Sequence, residues 1–331
     1  MKKILYILTI LTASLLLGAC QNEKMNVQSQ KTSVTFTIEA PGVFTKAIAD
    51  GTNVDQLIYE VWSYDMDSKS LVKKLFQDQT TLTLDGGVRK TTLPLELIND
   101  QQYAVLFWAQ VSTAGAYTTT NLTSVTYAKA MDAYSTNDES LAAFYAVAYI
   151  NDGAHVTAEG EPTDGNVVLR RPFAQLNIGT INMTLTNTES NRLPYTISLY
   201  QSSMTITGVA TTFNVFDGSV DGDETMELQL SAVPSDPTTL RISGKEDVYY
   251  YAAMTYLFAG DVVEVDYCIQ TKLNNDDTFI AEITNSVPNV RLKENYRTNI
   301  IGNLLTTSAT YEIVVDNGWA NDTNEPYIEE I

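Results

Sequence analysis

The chain has 331 residues, which at about 150 residues per domain is enough for roughly two domains that each bury a core. Apolar residues make up 44% and charged residues only 18%, a globular balance, and 40 acidic against 20 basic side chains leave a net charge of −20 that repels phosphate backbones and argues against nucleic acid as a partner. A single histidine, His155, and two cysteines, Cys20 and Cys268, are too few for a zinc or copper cage or a disulfide framework, so no metal or other cofactor is expected.

Lys2 and Lys3 precede an apolar run from Ile4 to Leu17, shorter than the roughly 20 residues of a membrane span and suited to the core of a signal peptide. Leu17-Gly18-Ala19-Cys20 follows, and small residues just before a cysteine resemble the lipobox of bacterial lipoproteins, in which the thiol is acylated. Residues 1–20 therefore read as a lipoprotein signal peptide with Cys20 as the lipidation site, and residues 21–31, polar and without periodicity, as a flexible tether.

Val34, Phe36 and Ile38 alternate with Thr35, Thr37 and Glu39, the period of a half-buried strand. Leu57 to Tyr64, Leu71 to Phe76, Thr80 to Leu84 and Thr91 to Leu97 repeat it, with turn residues between them at hairpin spacing. Tyr103 to Val111 has no polar face and reads as a strand covered on both sides. Asp138 to Ala148, apolar after Asn137 and Asp138 as caps, suggests a short helix. The glycine- and proline-bearing stretch from Asn151 to Asn166 reads as a loop, which places a domain boundary near residue 170.

A second strand series runs through Phe173 to Thr188, Tyr195 to Tyr200, Met204 to Val209, Thr225 to Leu230, Val248 to Phe258, Val262 to Thr271, Phe279 to Ile283, Tyr296 to Leu305 and Tyr311 to Val315. The predicted fold is all-β: two tandem antiparallel β-sandwiches, residues 32–170 and 171–331, with very little helix.

Catalytic motifs are absent from the sequence: there is no nucleophile elbow, metalloprotease helix or P-loop, and His155 lies in the loop-like stretch with no nucleophile nearby. The carboxylate pairs Asp65/Asp67, Asp221/Asp223 and Asp276/Asp277 fall at predicted hairpin tips, where they are solvated and serve turns better than glycoside hydrolysis. Trp62 and Trp108 sit in apolar strands and read as core; Trp319, after Asn317-Gly318, is the tryptophan most available as a sugar-stacking platform. Cys268, on a strand, reads as a small buried hydrophobe. No enzymatic activity is expected.

Arg170-Arg171-Pro172-Phe173-Ala174-Gln175-Leu176-Asn177, Asn295-Tyr296-Arg297-Thr298-Asn299-Ile300-Ile301-Gly302-Asn303-Leu304-Leu305-Thr306, Phe107-Trp108-Ala109-Gln110 and Ala143-Phe144-Tyr145-Ala146 resemble the fimbrillin-like lipoproteins of Bacteroidales, the type V pilins. The likeness extends over nearly the whole chain. It implies two transthyretin-like β-sandwiches and a lipid-bearing outer-membrane protein of the cell surface or fimbrium. It also implies assembly with other fimbrial subunits after a trypsin-like maturation protease removes the first strand and a neighbour supplies a replacement. A strand lost in this way exposes unpaired backbone groups and an apolar groove, and a donated strand satisfies both.

Carried onto this sequence, the removed strand is Val34 to Glu39 and the processing site lies between Lys46 and Ala47, with Lys31 the alternative; the family's arginine is a lysine here. The candidate donor strand contains Tyr311, Ile313 and Val315, but the polar, acidic tail after it departs from a long apolar donor. A non-polymerising anchor or tip subunit therefore stays open beside the shaft subunit, and a surface glycan-binding lipoprotein is the alternative outside assembly.

Overall fold

Alternating burial of threonine-, valine- and tyrosine-rich segments builds the whole molecule from strands. The computed structural model describes residues 31–328 apart from 41–50, 183, 188–194, 236–238, 243, 261, 274–278, 306–308 and 317–326. The signal peptide, most of the tether, Cys20, Lys46, Ala47, Trp319 and the Asp276/Asp277 pair lie outside the described residues.

In the first half the strands are β1 (Lys31–Ala40), β2 (Gln56–Asp65), β3 (Ser70–Thr81), β4 (Thr83–Asp85), β5 (Val88–Ile98), β6 (Gln102–Gln110), β7 (Tyr117–Thr118), β8 (Val125–Tyr127), β9 (Ala143–Asn151), β10 (Ala154–Val156) and β11 (Asn166–Val168). One sheet has the order β11-β1-β5-β4 and the other β10-β9-β6-β2-β3. Val34, Phe36, Ile38, Leu93 and Leu95 from the first meet Leu57, Val61, Val105, Phe107 and Phe144 from the second in a single buried cluster, which makes the pair a sandwich.

The second half contains β12 (Phe173–Thr180), β13 (Thr184–Asn187), β14 (Tyr195–Val209), β15 (Thr212–Phe213), β16 (Val220–Asp221), β17 (Glu224–Ala232), β18 (Thr239–Leu240) and β19 (Tyr249–Phe258). It continues with β20 (Val262–Leu273), β21 (Phe279–Arg291), β22 (Arg297–Asn303), β23 (Thr310–Asp316) and β24 (Tyr327–Ile328). Its sheets are β18-β19-β12-β22-β23-β24 and β13-β14-β20-β21, the latter with β17 also on β14. The fold is all-β as expected, and most pairings are antiparallel; β1 with β11 and β12 with β22 run parallel.

Several expectations change in detail. The helix expected over Asp138 to Ala148 is one turn of 3-10 helix at Glu139–Leu141, capped by Asp138, whose carboxylate accepts the Ser140 amide at 2.9 Å. Ala143 onward is instead β9, with Phe144 and Ile150 in the first sandwich's core and Ala143 and Tyr145 on the opposite face. A segment with apolar contacts on both sides satisfies its backbone as a central strand, whatever its helix propensity. Phe173 to Thr188 divides into β12 and β13 at exposed Ile181, whereas Tyr195 to Val209 is one bulged strand.

Tyr103 to Val111 does lie at a centre. As β6 it gives Val105 and Phe107 to the first sandwich and Leu106 and Trp108 to a second cluster shared with the C-terminal half. That shared cluster forms beneath residues 112–142: Trp108 meets Tyr117 edge-on at 5.2 Å and Phe213 at 6.1 Å, and Phe213 stacks on Phe258 at 5.6 Å. A small sheet, β16-β15-β8-β7, takes two strands from each side of residue 170 and stitches the halves together.

The two phrases that supply the adjacent interior strands β12 and β22 of the second half's larger sheet also meet in register. Parallel pairing sets Gln175 opposite Arg297 and Asn177 opposite Asn299. Asn177 Nδ2 donates to Asn299 Oδ1 at 2.8 Å, Asn299 Nδ2 donates to Asp316 Oδ2 at 3.1 Å, and Arg297 Nε donates to Asp316 Oδ1 at 2.9 Å. Asp316 is fully buried, so this ion pair is held in a low dielectric where loss of one partner strands the other. Asp316→Ala is expected to lower unfolding free energy by about 3–5 kcal/mol, read from the denaturant midpoint.

Candidate functional site: the seat of the first strand

The expendable strand inferred from the sequence is not a loose appendage. β1 pairs antiparallel with β5 along its full length, from Lys31 opposite Ile98 to Ala40 opposite Arg89. Its C-terminal half also pairs with β11, Thr37 with Asn166, Ile38 with Val167 and Glu39 with Val168. Thr37 N donates to Gly165 O at 3.4 Å and Leu169 N to Glu39 O at 2.8 Å at the two ends of that contact. Over Thr37–Glu39 β1 is an interior strand with ladder partners on both sides, and along the rest of its length its described strand partner is β5.

Alternation does the rest. Val34, Phe36, Ile38 and Ala40 point inward, with Phe36 and Ile38 at 0% exposure, and Ser33, Thr35 and Glu39 point out. Phe36 meets the Phe107 ring edge-on at 5.5 Å and the His155 ring at 4.3 Å. Opposite it in β5 stands Leu93, and Leu95 stands opposite Val34. Burying valine, phenylalanine and isoleucine contributes about 1.5–3 kcal/mol each, so emptying this seat uncovers an apolar slot and a ladder edge together.

Two of the outer edges of the first sandwich are guarded. Beyond Lys90, the last residue that β4 covers, the outer edge of β5 has no neighbour among the described residues, and Pro94 sits in the middle of it without an N–H. β3, the edge of the facing sheet, carries Lys73 and Lys74 and two bulges against β2. The seat of β1 joins a full ladder edge on β5 to an apolar slot, and β1 itself carries no proline.

Of the residues marked in the sequence, Lys31 is the first of β1 and lies 3.5 Å from Glu96 on the surface, so a cut after it would leave the strand in place. Tyr311, Ile313 and Val315 lie on β23, which is paired with β22 on one side and β24 on the other. Ile313, Val314 and Val315 are all buried, so the strand holds its own sheet, and of the three candidate donor residues Tyr311 alone is exposed.

The described carboxylate candidates lie at strand ends and in the turns beside them. Asp65 Oδ1 accepts the amides of Asp67 at 2.9 Å and Ser68 at 3.0 Å, and the hydrogen bonds from Ser68 hold its carboxyl below the usual range. Asp221 accepts the Gly222 amide at 2.8 Å. Trp108 is fully buried, and half-buried Trp62 donates its indole N–H to Glu60 at 2.8 Å. Cys268 departs from expectation: it alternates with buried Tyr267 and Ile269 and so sits on the outward side of β20, half-buried, with burial pushing its thiol up. Among the described residues no group of three His, Cys, Asp or Glu could hold a metal.

His155 is the residue whose part was not visible in the sequence. Its Nε2 lies 3.0 Å from the carbonyl oxygen of Thr35, 120 residues away, and no spacing motif announces such a contact.

The model of a family of unknown function, DUF6562, matches residues 24–329. No curated protein matches the chain. Among solved structures it is similar to a fimbrial assembly protein from Parabacteroides distasonis, at 12% identity and a TM-score of 0.44, over 91% of this chain and 100% of the other. It is also similar to the tip fimbrial protein Mfa3 of Porphyromonas gingivalis, truncated at its C-terminus, at 10% identity and 0.44 over 86% and 99% of the two chains. The fimbrial anchor protein Mfa2 of the same organism gives 11% identity and 0.35 over 86% and 98%. Their names are of the kind that the fimbrillin-like resemblance implies; at such scores the functional reading rests on this chain's own residues.

Phe36→Ala is expected to cost about 3–5 kcal/mol in chemical denaturation, because it empties the centre of the slot. Val168→Ala, on the neighbouring strand but 65% exposed, is expected to change stability by less than about 0.5 kcal/mol.

Proposed function

We propose for this chain, which belongs to the DUF6562 family, the role of a structural subunit of a cell-surface fimbria, tethered through lipid on Cys20 and assembled by replacement of its first strand. The observation that carries this reading is the seat of β1: a ten-residue strand, the first one described after the leader and tether, that fills an interior position and supplies Phe36 and Ile38 to the core. A strand in that position can be exchanged for another of the same pattern at little net change in contacts, provided the chain is cut on its C-terminal side.

Lys46 follows β1 by a few residues and is the proposed cut, with the new N-terminus at Ala47. A partner strand would then meet the same ladder on β5 and the same leucines. For Tyr311, Ile313 and Val315 to serve as that strand in a neighbour, β23 would have to leave both of its own partners, β22 and β24. The leader supports attachment at the outer membrane, and the resemblance supports fimbrial partners and a trypsin-like maturation protease; no catalytic role is proposed for any residue.

The test uses soluble protein lacking the lipid. Limited digestion with a trypsin-like protease is expected to give one early cut after Lys46, followed by a ladder of oligomers on gels run without heating. Lys46→Ala is expected to abolish both. A cut product that stays folded and monomeric overturns the polymerising subunit and leaves the anchor or tip version, and early cleavage elsewhere overturns the site.

A further inference from the structure

From Lys31 to Phe36 the first strand has β5 on one side and, among the described residues, no paired strand on the other, because β11 reaches only Thr37, Ile38 and Glu39. The segment between β9 and β11 closes much of that second side. β10 folds back on β9, with His155 opposite Ile150, and the returning chain fastens it: Thr163 N donates to His155 O at 2.9 Å and Thr157 N to Glu161 O at 2.7 Å. This small hairpin aims the imidazole at β1.

The Thr35 carbonyl can only accept, so the 3.0 Å contact makes His155 Nε2 the donor, and the same ring covers Phe36 edge-on at 4.3 Å. Two glycines permit the approach. A Cβ on Gly153 would stand 2.8 Å from Thr32 Cγ2, and one on Gly165, whose φ is +76°, would stand 2.7 Å from His155 Cδ2. Beside the ring lies a cavity of 270 Å³ lined by Phe36, Tyr149, Val147, Val167 and His155 itself.

We infer that residues 152–165 form a latch on the first strand, with His155 as its positioning residue, and that β1 is released by opening at Thr35 and Phe36 before its pairing with β11 breaks. The latch deepens the assembly reading above and rests on it for its purpose, but its existence is measurable in the intact chain. It sets how fast the seat empties after processing, and so separates cutting from exchange.

Hydrogen exchange by mass spectrometry on the full chain from residue 21 tests it. His155→Ala and Gly165→Ala are expected to speed exchange over Val34 to Phe36 about tenfold, the factor allowed by one ordinary net hydrogen bond, while β12 and β19 in the other half stay unchanged. His155→Gln, whose amide can donate to the same carbonyl, is expected to fall nearer the parent protein. Unchanged exchange at Val34 to Phe36, acceleration spread evenly over both halves, or a glutamine variant identical to the alanine variant overturns the latch. In a second arm the cut protein receives a labelled synthetic peptide with the sequence of Lys31–Ala40, and the latch variants are expected to take it up about tenfold faster. If exchange over Val34 to Phe36 rises but no variant ever takes up peptide, the latch stands and strand replacement fails.

Discussion

The constraint on which this architecture depends is that a backbone N–H or C=O taken out of water must find a partner. For β1 the partners lie in β5, about sixty residues downstream along most of the strand, and in β11, well over a hundred residues downstream. The local sequence of β1 supplies the alternation that turns Val34, Phe36 and Ile38 inward, but it supplies none of the hydrogen bonds that keep the strand there. That division between pattern and partner is what makes an interior strand replaceable in principle: any segment with the same alternation meets the same ladder and the same leucines.

The rest of the molecule is far less separable. The centre of sheet β10-β9-β6-β2-β3, above all β6, is buried on both faces, one against the first sandwich's core and the other against aromatic residues shared with the second half. Tyr145 OH donates to Glu294 at 2.7 Å across the boundary, with Arg170 Nε 3.2 Å from the same carboxylate and its guanidinium over the Tyr145 ring at 4.7 Å. Burial and the bond to Glu294 push the Tyr145 phenol well above its usual range, so it remains a donor. Buried Glu60 likewise accepts from Lys74 at 2.8 Å, Trp62 at 2.8 Å and the Leu122 amide at 3.0 Å, which pins residues 119–122 to the same sheet. Packing is continuous across residue 170.

What was legible in the sequence was the period. Strands with one wet face, such as β1, β17 and β20, declare themselves by alternation, and β6 declares its burial by having no polar face. What was not legible came from distant partners. The alanine-rich run at Ala142 to Ala148 has the composition of a helix and is a strand because cores wait on both sides of it. Gln201, Ser202 and Ser203 look like a break between strands, yet Ser202 is fully buried and its carbonyl accepts from Thr136 at 2.7 Å, so β14 runs through. Gly153 and Gly165, within Asn151 to Asn166, read as loop residues because their purpose, close approach to Thr32 and His155, exists only once residues far apart have met.

The ten-pair register between β1 and β5 also decides how the molecule meets a pull. Tension applied along the axis of β1 loads the whole ladder in shear, with every bond sharing the strain at once, whereas a force at right angles opens them one after another. An attachment point that draws on this strand lengthwise is therefore mechanically strong while the strand is seated, even though each bond in it is individually weak. The same ladder can be entered from its end once a cut beyond the C-terminal end of β1 has freed the seat, so strands joined in the proposed way would resist drag along a fibre with no further covalent change in the receiving sandwich.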